Sequence, residues 1–164
     1  MYKRIVVPLD GSKLAEAVLP HVEHTATTCG GEIVLTTVTE RISGRSRSVS
    51  IASSGGSFPV LQPVVKMPVA VGKMQRQGQR YLDRIARRLR KKGISNVRTA
   101  VLLGNPAEEI STFAEEEKAD LIIMASHGRS GPSRWAFGSV SDRVLRASHC
   151  PVLLVRATTS DPGG

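Results

Sequence analysis

Two short stretches of this chain carry residue types at a spacing suited to holding phosphate. The first is Ala125-Ser126-His127-Gly128-Arg129-Ser130-Gly131, and after six intervening residues comes Gly138-Ser139-Val140-Ser141. Gly128 and Gly131 allow the backbone positive φ and a close approach to a ligand. Gly138-Ser139 opens a predicted helix, where unpaired N–H groups and the positive end of the helix dipole favour an anion. The Ser139 and Ser141 hydroxyls are expected to add donors on the same side, and Arg129 to bring a positive charge. The segment reads as a phosphate cradle between a buried strand and a helix N-terminus.

Other chemistries lack their residues. There is no GxxxxGK[ST] loop, and no GxGxxG after the first predicted strand. His127 has no nucleophile to serve and reads as a histidine that orders its loop. His21, His24 and His149 show no ligand spacing. Cys29 and Cys150 form no CxxC or Cys/His pattern and read as reduced structural cysteines. Trp135 and Phe137 read as packing residues of the loop or part of a partner surface. No catalytic residue and no protein-held metal are assigned.

The elements that must position the cradle alternate. Ile5 to Leu9 is a β-branched strand, ended by the turn Asp10-Gly11-Ser12, which also offers a helix cap. Apolar residues from Leu14 to Ala26 recur at helical spacing, Pro20 is expected to kink or shorten that helix, and Gly30-Gly31 closes it. A strand over Ile33 to Val38 follows. Residues 41–68 are rich in Ser, Gly, Arg and Pro and read as a mobile loop. A helix from about Val69 to Lys92 stops at Gly93, and Val97 to Leu103 is the third strand. Asn105-Pro106 with Glu108 and Glu109 starts the next helix. Leu121 to Ala125 is apolar on both faces, as in a central strand covered on both sides. A helix from Gly138 to about Ala147 and a strand over Pro151 to Val155 complete the domain.

This order predicts a single doubly wound α/β domain over residues 1–157, with a five-stranded parallel sheet flanked by helices in a Rossmann-like arrangement. Residues 158–164 read as a frayed tail. Ligands of such sheets bind beyond the carboxyl ends of the strands, where strand order reverses. Asp10 is a turn former or a ligand contact, and its place at a strand's carboxyl end favours the second reading.

The chain has 164 residues, net charge +9 and only 4% aromatic residues. The charge suits polyanions, but the scarcity of aromatics argues against single-strand stacking platforms. The basic run from Arg84 to Lys92 reads as a solvated helix face, so nucleic acid is not an expected partner. The start runs directly into a strand, and no apolar stretch approaches the ~20 residues of a membrane span, so a cytoplasmic location with no membrane partner is expected.

Taken together, these segments resemble the universal stress protein family over almost the whole chain apart from 41–68. The resemblance rests on Ile5-Val6-Val7-Pro8-Leu9-Asp10-Gly11-Ser12, Gly104-Asn105-Pro106 and Ala119-Asp120-Leu121-Ile122-Ile123-Met124. It continues through the cradle to Cys150-Pro151-Val152-Leu153-Leu154-Val155. The family's ATP-binding members carry G-x2-G-x9-G-[ST]. Gly128, nine residues, Gly138 and Ser139 match it, with Ala125 in place of the first glycine. The resemblance implies an adenine nucleotide alpha hydrolase-like fold and ATP as ligand, with Mg²⁺ on its phosphates. It implies that Asp10 contacts the ribose or adenine and that Pro8 and Val38 frame the base. Gly128, Arg129, Gly138, Ser139, Val140 and Ser141 would hold the phosphates. It also implies a homodimer, for which the sticky terminal strand Pro151 to Val155 is the natural edge. The expected function is an ATP-binding regulator of the stress response. A slow ATPase or phosphotransferase, and a nucleotide-free interaction module, are the alternatives.

Overall fold

The computed structural model describes residues 2–39, 69–126 and 138–156. The segments 41–68 and 158–164, and His127, Gly128, Arg129, Gly131, Trp135 and Phe137, lie outside them. In chain order the elements are β1 (Arg4–Pro8), α1 (Lys13–Glu16), α2 (Leu19–Cys29), β2 (Glu32–Thr39) and α3 (Val69–Lys91). Then come β3 (Val97–Leu103), α4 (Pro106–Glu116), β4 (Leu121–Ala125), α5 (Ser139–Ala147) and β5 (Val152–Val155).

The five strands form one sheet in the order β3-β2-β1-β4-β5, with every pair parallel. Strand alternation sends side chains to two separate layers. Ile5, Val7, Ile33, Leu35, Leu121 and Ile123 pack with the buried residues of α1, α2 and α3. Val6, Val34, Ile122 and Met124 face α4 and α5 through Ala107, Ile110, Ala114 and Val144. Both faces of β1 and β4 are therefore covered, which explains their unbroken apolar runs.

Local chemistry sets the element ends. The predicted first helix is two helices: α1 stops at Glu16 and α2 restarts at Leu19, with Pro20 in its first turn. Proline lacks an N–H, and only the first turn of a helix has no use for one. Gly30 ends α2 at φ 65, and a Cβ on Gly31 would stand 2.6 Å from the Tyr2 carbonyl oxygen, so the turn into β2 takes glycine at both places. Asn105 caps α4 by accepting from the Ala107 N–H, with Pro106 at the first helical position. β5 begins at Val152, one residue later than predicted. Pro151 has no N–H for the ladder, but its carbonyl accepts from Ile122 at 3.0 Å.

Candidate functional site

In this sheet the strand order reverses between β1 and β4, because the chain leaves β1 toward β2 on one side and later returns to pair β4 on the other. The crevice beyond the carboxyl ends of these two strands is where a doubly wound sheet takes a ligand.

On the β1 side, Pro8 is buried and pairs with Thr36, and the Leu9 N–H extends the ladder to the Thr36 carbonyl at 2.8 Å. Asp10 follows immediately, partly exposed. Its Oδ1 accepts from the Ser12 N–H at 2.9 Å, a side-chain turn that fixes the carboxylate at the strand end. Ser12 in turn accepts from the Ala15 N–H and caps α1. The turn role and the crevice position of Asp10 thus coexist. Beneath it lies Tyr81 of α3, whose phenol is pushed well above its ordinary range by burial and then by the Glu16 and Asp10 carboxylates.

On the β4 side, Ser126 is the joint. Its N–H donates to the Val155 carbonyl at 2.9 Å, and its own carbonyl accepts from the Gly138 N–H at 2.8 Å and from the Ser141 hydroxyl at 2.7 Å. These two bonds pin the start of α5 to the end of β4. Gly138 is the residue before the helix and not its first member, with φ −59 and ψ 149. The first N–H to reach back within α5 is that of Asp142, to the Gly138 carbonyl. The N–H groups of Ser139, Val140 and Ser141 therefore have no intrahelical acceptor and present the positive end of the helix dipole.

Two sequence-predicted donors are committed elsewhere. The Ser141 side chain is 3% exposed and its hydroxyl faces Ser126 and Gly138, so it braces the helix start and does not reach outward. The Gly138 N–H is likewise used by Ser126. Ser139, by contrast, is exposed. Ala125 is 8% exposed, and its methyl belongs to the core layer under α1–α3. Val38 is half-buried against the α4 layer, opposite Leu102 in the ladder. Sequence reasoning missed Ser126 as the joint, since nothing in its neighbours signals a carbonyl with two donors.

The amino ends of the strands hold a different kind of cluster. Arg4 and Arg98 each bind Glu32 and Glu117, at 2.6 to 3.6 Å. The Arg98 bonds hold the Glu117 carboxyl below its ordinary value; burial works to raise Glu32, but its bonds to Arg4 and Arg98 outweigh that. Asp120 is lowered by the backbone N–H groups of Arg4 and Lys3, which it accepts at 2.8 and 2.9 Å. These charges satisfy one another and lock strand ends.

A sequence model of the universal stress protein family matches residues 1–156. The chain belongs to that family. Universal stress protein MJ0531 of Methanocaldococcus jannaschii is 33% identical over 156 residues, covering 95% of this chain and 83% of that protein. Universal stress protein MJ0577 of the same organism is 30% identical over 165 residues, covering 98% of each. The solved structure of MJ0577 superposes with a TM-score of 0.70, covering 98% of this chain and 99% of that one at 26% identity. Two further universal stress proteins share the fold. One, solved in complex with cAMP, has a TM-score of 0.67 at 19% identity, covering 96% and 98% of the two chains. The other, from Archaeoglobus fulgidus in complex with dAMP, has 0.61 at 20%, covering 93% and 97%. In this universal stress protein no acidic or Cys/His group that could hold a metal occurs among the described residues, and no described helix is long and apolar enough to cross a membrane.

Proposed function

We propose that this universal stress protein binds an adenine nucleotide, ATP foremost, in the crevice between β1 and β4, and works as a nucleotide-dependent regulator. The observation that carries this is the start of α5: the N–H groups of Ser139, Val140 and Ser141 have no intrahelical acceptor, and Ser126 holds that helix start at the switch point. The positive end of a helix dipole favours an anion, and a polyphosphate supplies one. By sequence, Gly128 and Arg129 complete the phosphate contacts. Ser139 contributes hydroxyl and N–H, Val140 and Ser141 their N–H groups, and Gly138 the turn that aims them. Asp10 takes a ribose or adenine donor, with Pro8 and Val38 framing the base. The Ala125 methyl fills core space, so its replacement of the family's first glycine leaves the crevice open. The cAMP and dAMP complexes of relatives agree with an adenine ligand. Mg²⁺ enters with the phosphates, which supply the hard oxygens it prefers.

Turnover is not part of this reading, because the sequence offers no evident general base, arginine finger or acceptor. The working unit is a cytoplasmic homodimer paired along β5, where Leu153 is 39% exposed and Leu145 of α5 is 42% exposed.

The test is to denature purified protein, identify any released nucleotide, and titrate ATP into wild type, Gly128→Ala and Ser139→Ala. Bound adenine nucleotide in the wild type, and weaker binding by both variants, is the expected outcome. A wild type with no bound nucleotide and no ATP affinity refutes the proposal. Product formation lost in Ser139→Ala would replace the regulator by a slow ATPase.

A further inference from the structure

Helix α3 carries eight lysines and arginines against one carboxylate, Asp83, a net +7 of the chain's +9. The structure divides these cations. Arg84 and Arg88 turn to Glu16 of α1, at 3.3 and 3.8 Å, and Arg90 donates to the Val97 carbonyl. Just past the helix, Lys92 binds Glu23 of α2 at 2.6 Å. The other five, Lys73, Arg76, Arg80, Arg87 and Lys91, are exposed and make no ion pair with any described residue, although Arg87 Nε also donates to the Asp83 carbonyl of its own helix at 3.3 Å.

These five form a single line. At ~100° per residue they fall within about 60° of the helix circumference, and at ~1.5 Å per residue they run about 27 Å. The line is directly opposite Leu82, Ile85 and Leu89, which are buried in the core. Outside the described residues acids are few: 40–68 contain Glu40 beside Arg41, Arg45, Arg47 and Lys66, 127–137 contain none, and 157–164 contain Asp161.

We infer that this stripe is a docking surface for the phosphate backbone of double-stranded nucleic acid, bound without regard to sequence. The sequence alone favoured a merely solvated face; the separation of paired from unpaired cations changes that reading. A straight row of five cations, with the single carboxylate Asp83 at its edge, matches a duplex, which presents a phosphate about every 3.4 Å along each strand, or roughly eight per strand over the stripe. Three of the five are arginines, whose planar fork binds phosphate oxygens in pairs. A helix that lies on a membrane turns an apolar face to the lipid, but the apolar face of α3 is consumed by the core. Single strands need stacking aromatics, and none stands in the row. Contacts to phosphate position a protein but do not read bases.

The measurement is fluorescence anisotropy of a labelled duplex of about 20 base pairs across a salt series, using the full chain. Wild type should bind at low salt with a slope of log K on log salt of about −4 to −5, one counterion per stripe cation. Arg76→Glu/Arg80→Glu/Arg87→Glu should bind at least about 100-fold more weakly. Its circular dichroism and Tm should match wild type, since all three positions are exposed. Lys3→Glu/Lys118→Glu/Arg156→Glu changes net charge equally elsewhere and should stay within about threefold of wild type. The proposal falls if wild type does not bind the duplex, if both triple variants lose affinity equally, or if the stripe variant binds as wild type does. It falls equally if phosphatidylserine vesicles capture the protein while the duplex does not.

Discussion

The Ser141 hydroxyl donates to the Ser126 carbonyl across 2.7 Å, from the first turn of α5 to the residue that follows β4. This bond, with that from the Gly138 N–H, sets where the helix dipole points. Ser139, two residues earlier, faces solvent and makes no such bond. The two serines of one motif therefore do different work, and substitution separates them. Ser141→Ala is expected to cost about 1 kcal/mol, or roughly 2–4 °C in Tm. Ser139→Ala should stay within about 0.5 kcal/mol of wild type while weakening ATP binding. Thermal melts paired with calorimetric titration check both, and a Ser139→Ala variant that melts early but binds normally would reverse the assignment.

Asp10 combines a turn and a ligand contact, and its two conservative replacements pull these apart. Asp10→Asn keeps an acceptor for the Ser12 N–H, so stability should hold while nucleotide affinity drops. Asp10→Ala loses the acceptor as well and should cost about 1 kcal/mol in addition. Denaturant midpoints and ATP titrations of both variants make the comparison. Equal affinity of Asp10→Asn and wild type would leave Asp10 with its turn alone.

The carboxyls at the amino ends of the strands make an acid-sensitive lock. Glu32, Glu117 and Asp120 are all held below their ordinary values in the folded protein. A group lowered on folding stabilises fully above its unfolded value, about pH 4 for carboxyls, and that stabilisation drains as pH falls through the lower folded value. Urea midpoints should therefore decline between about pH 5 and pH 2. Asp120→Asn, which cannot ionise, should show a shallower decline, and an unchanged pH profile in that variant would show that Asp120 takes no part.

The edge strand offers a test of assembly. Leu153 is a large apolar residue left partly exposed on β5, and Leu145 of α5 is another. Leu153→Glu is expected to shift dimer to monomer in sedimentation velocity, with little change in circular dichroism. A wild type that sediments as a monomer at all concentrations removes the dimer from the proposal.

The sequence determined a good deal by itself. Asn105-Pro106, Gly30, Pro20 and the β-branched runs act through neighbours a few residues away. Apart from the break between α1 and α2, element boundaries accordingly fell within about two residues of prediction, and the parallel doubly wound class followed from strict alternation. What only the tertiary structure decided is which polar groups are already spent. Ser141 and Ser139 read alike in sequence, as do Arg80 and Arg84. In each pair one residue finds a partner elsewhere in the chain: Ser126 takes the Ser141 hydroxyl, and Glu16, 68 residues away, takes Arg84. A hydrogen bond or ion pair forms at about 3 Å and is gone a few ångströms farther. Residue type and local spacing therefore show what a side chain is able to do, and the fold alone shows what it is left free to do.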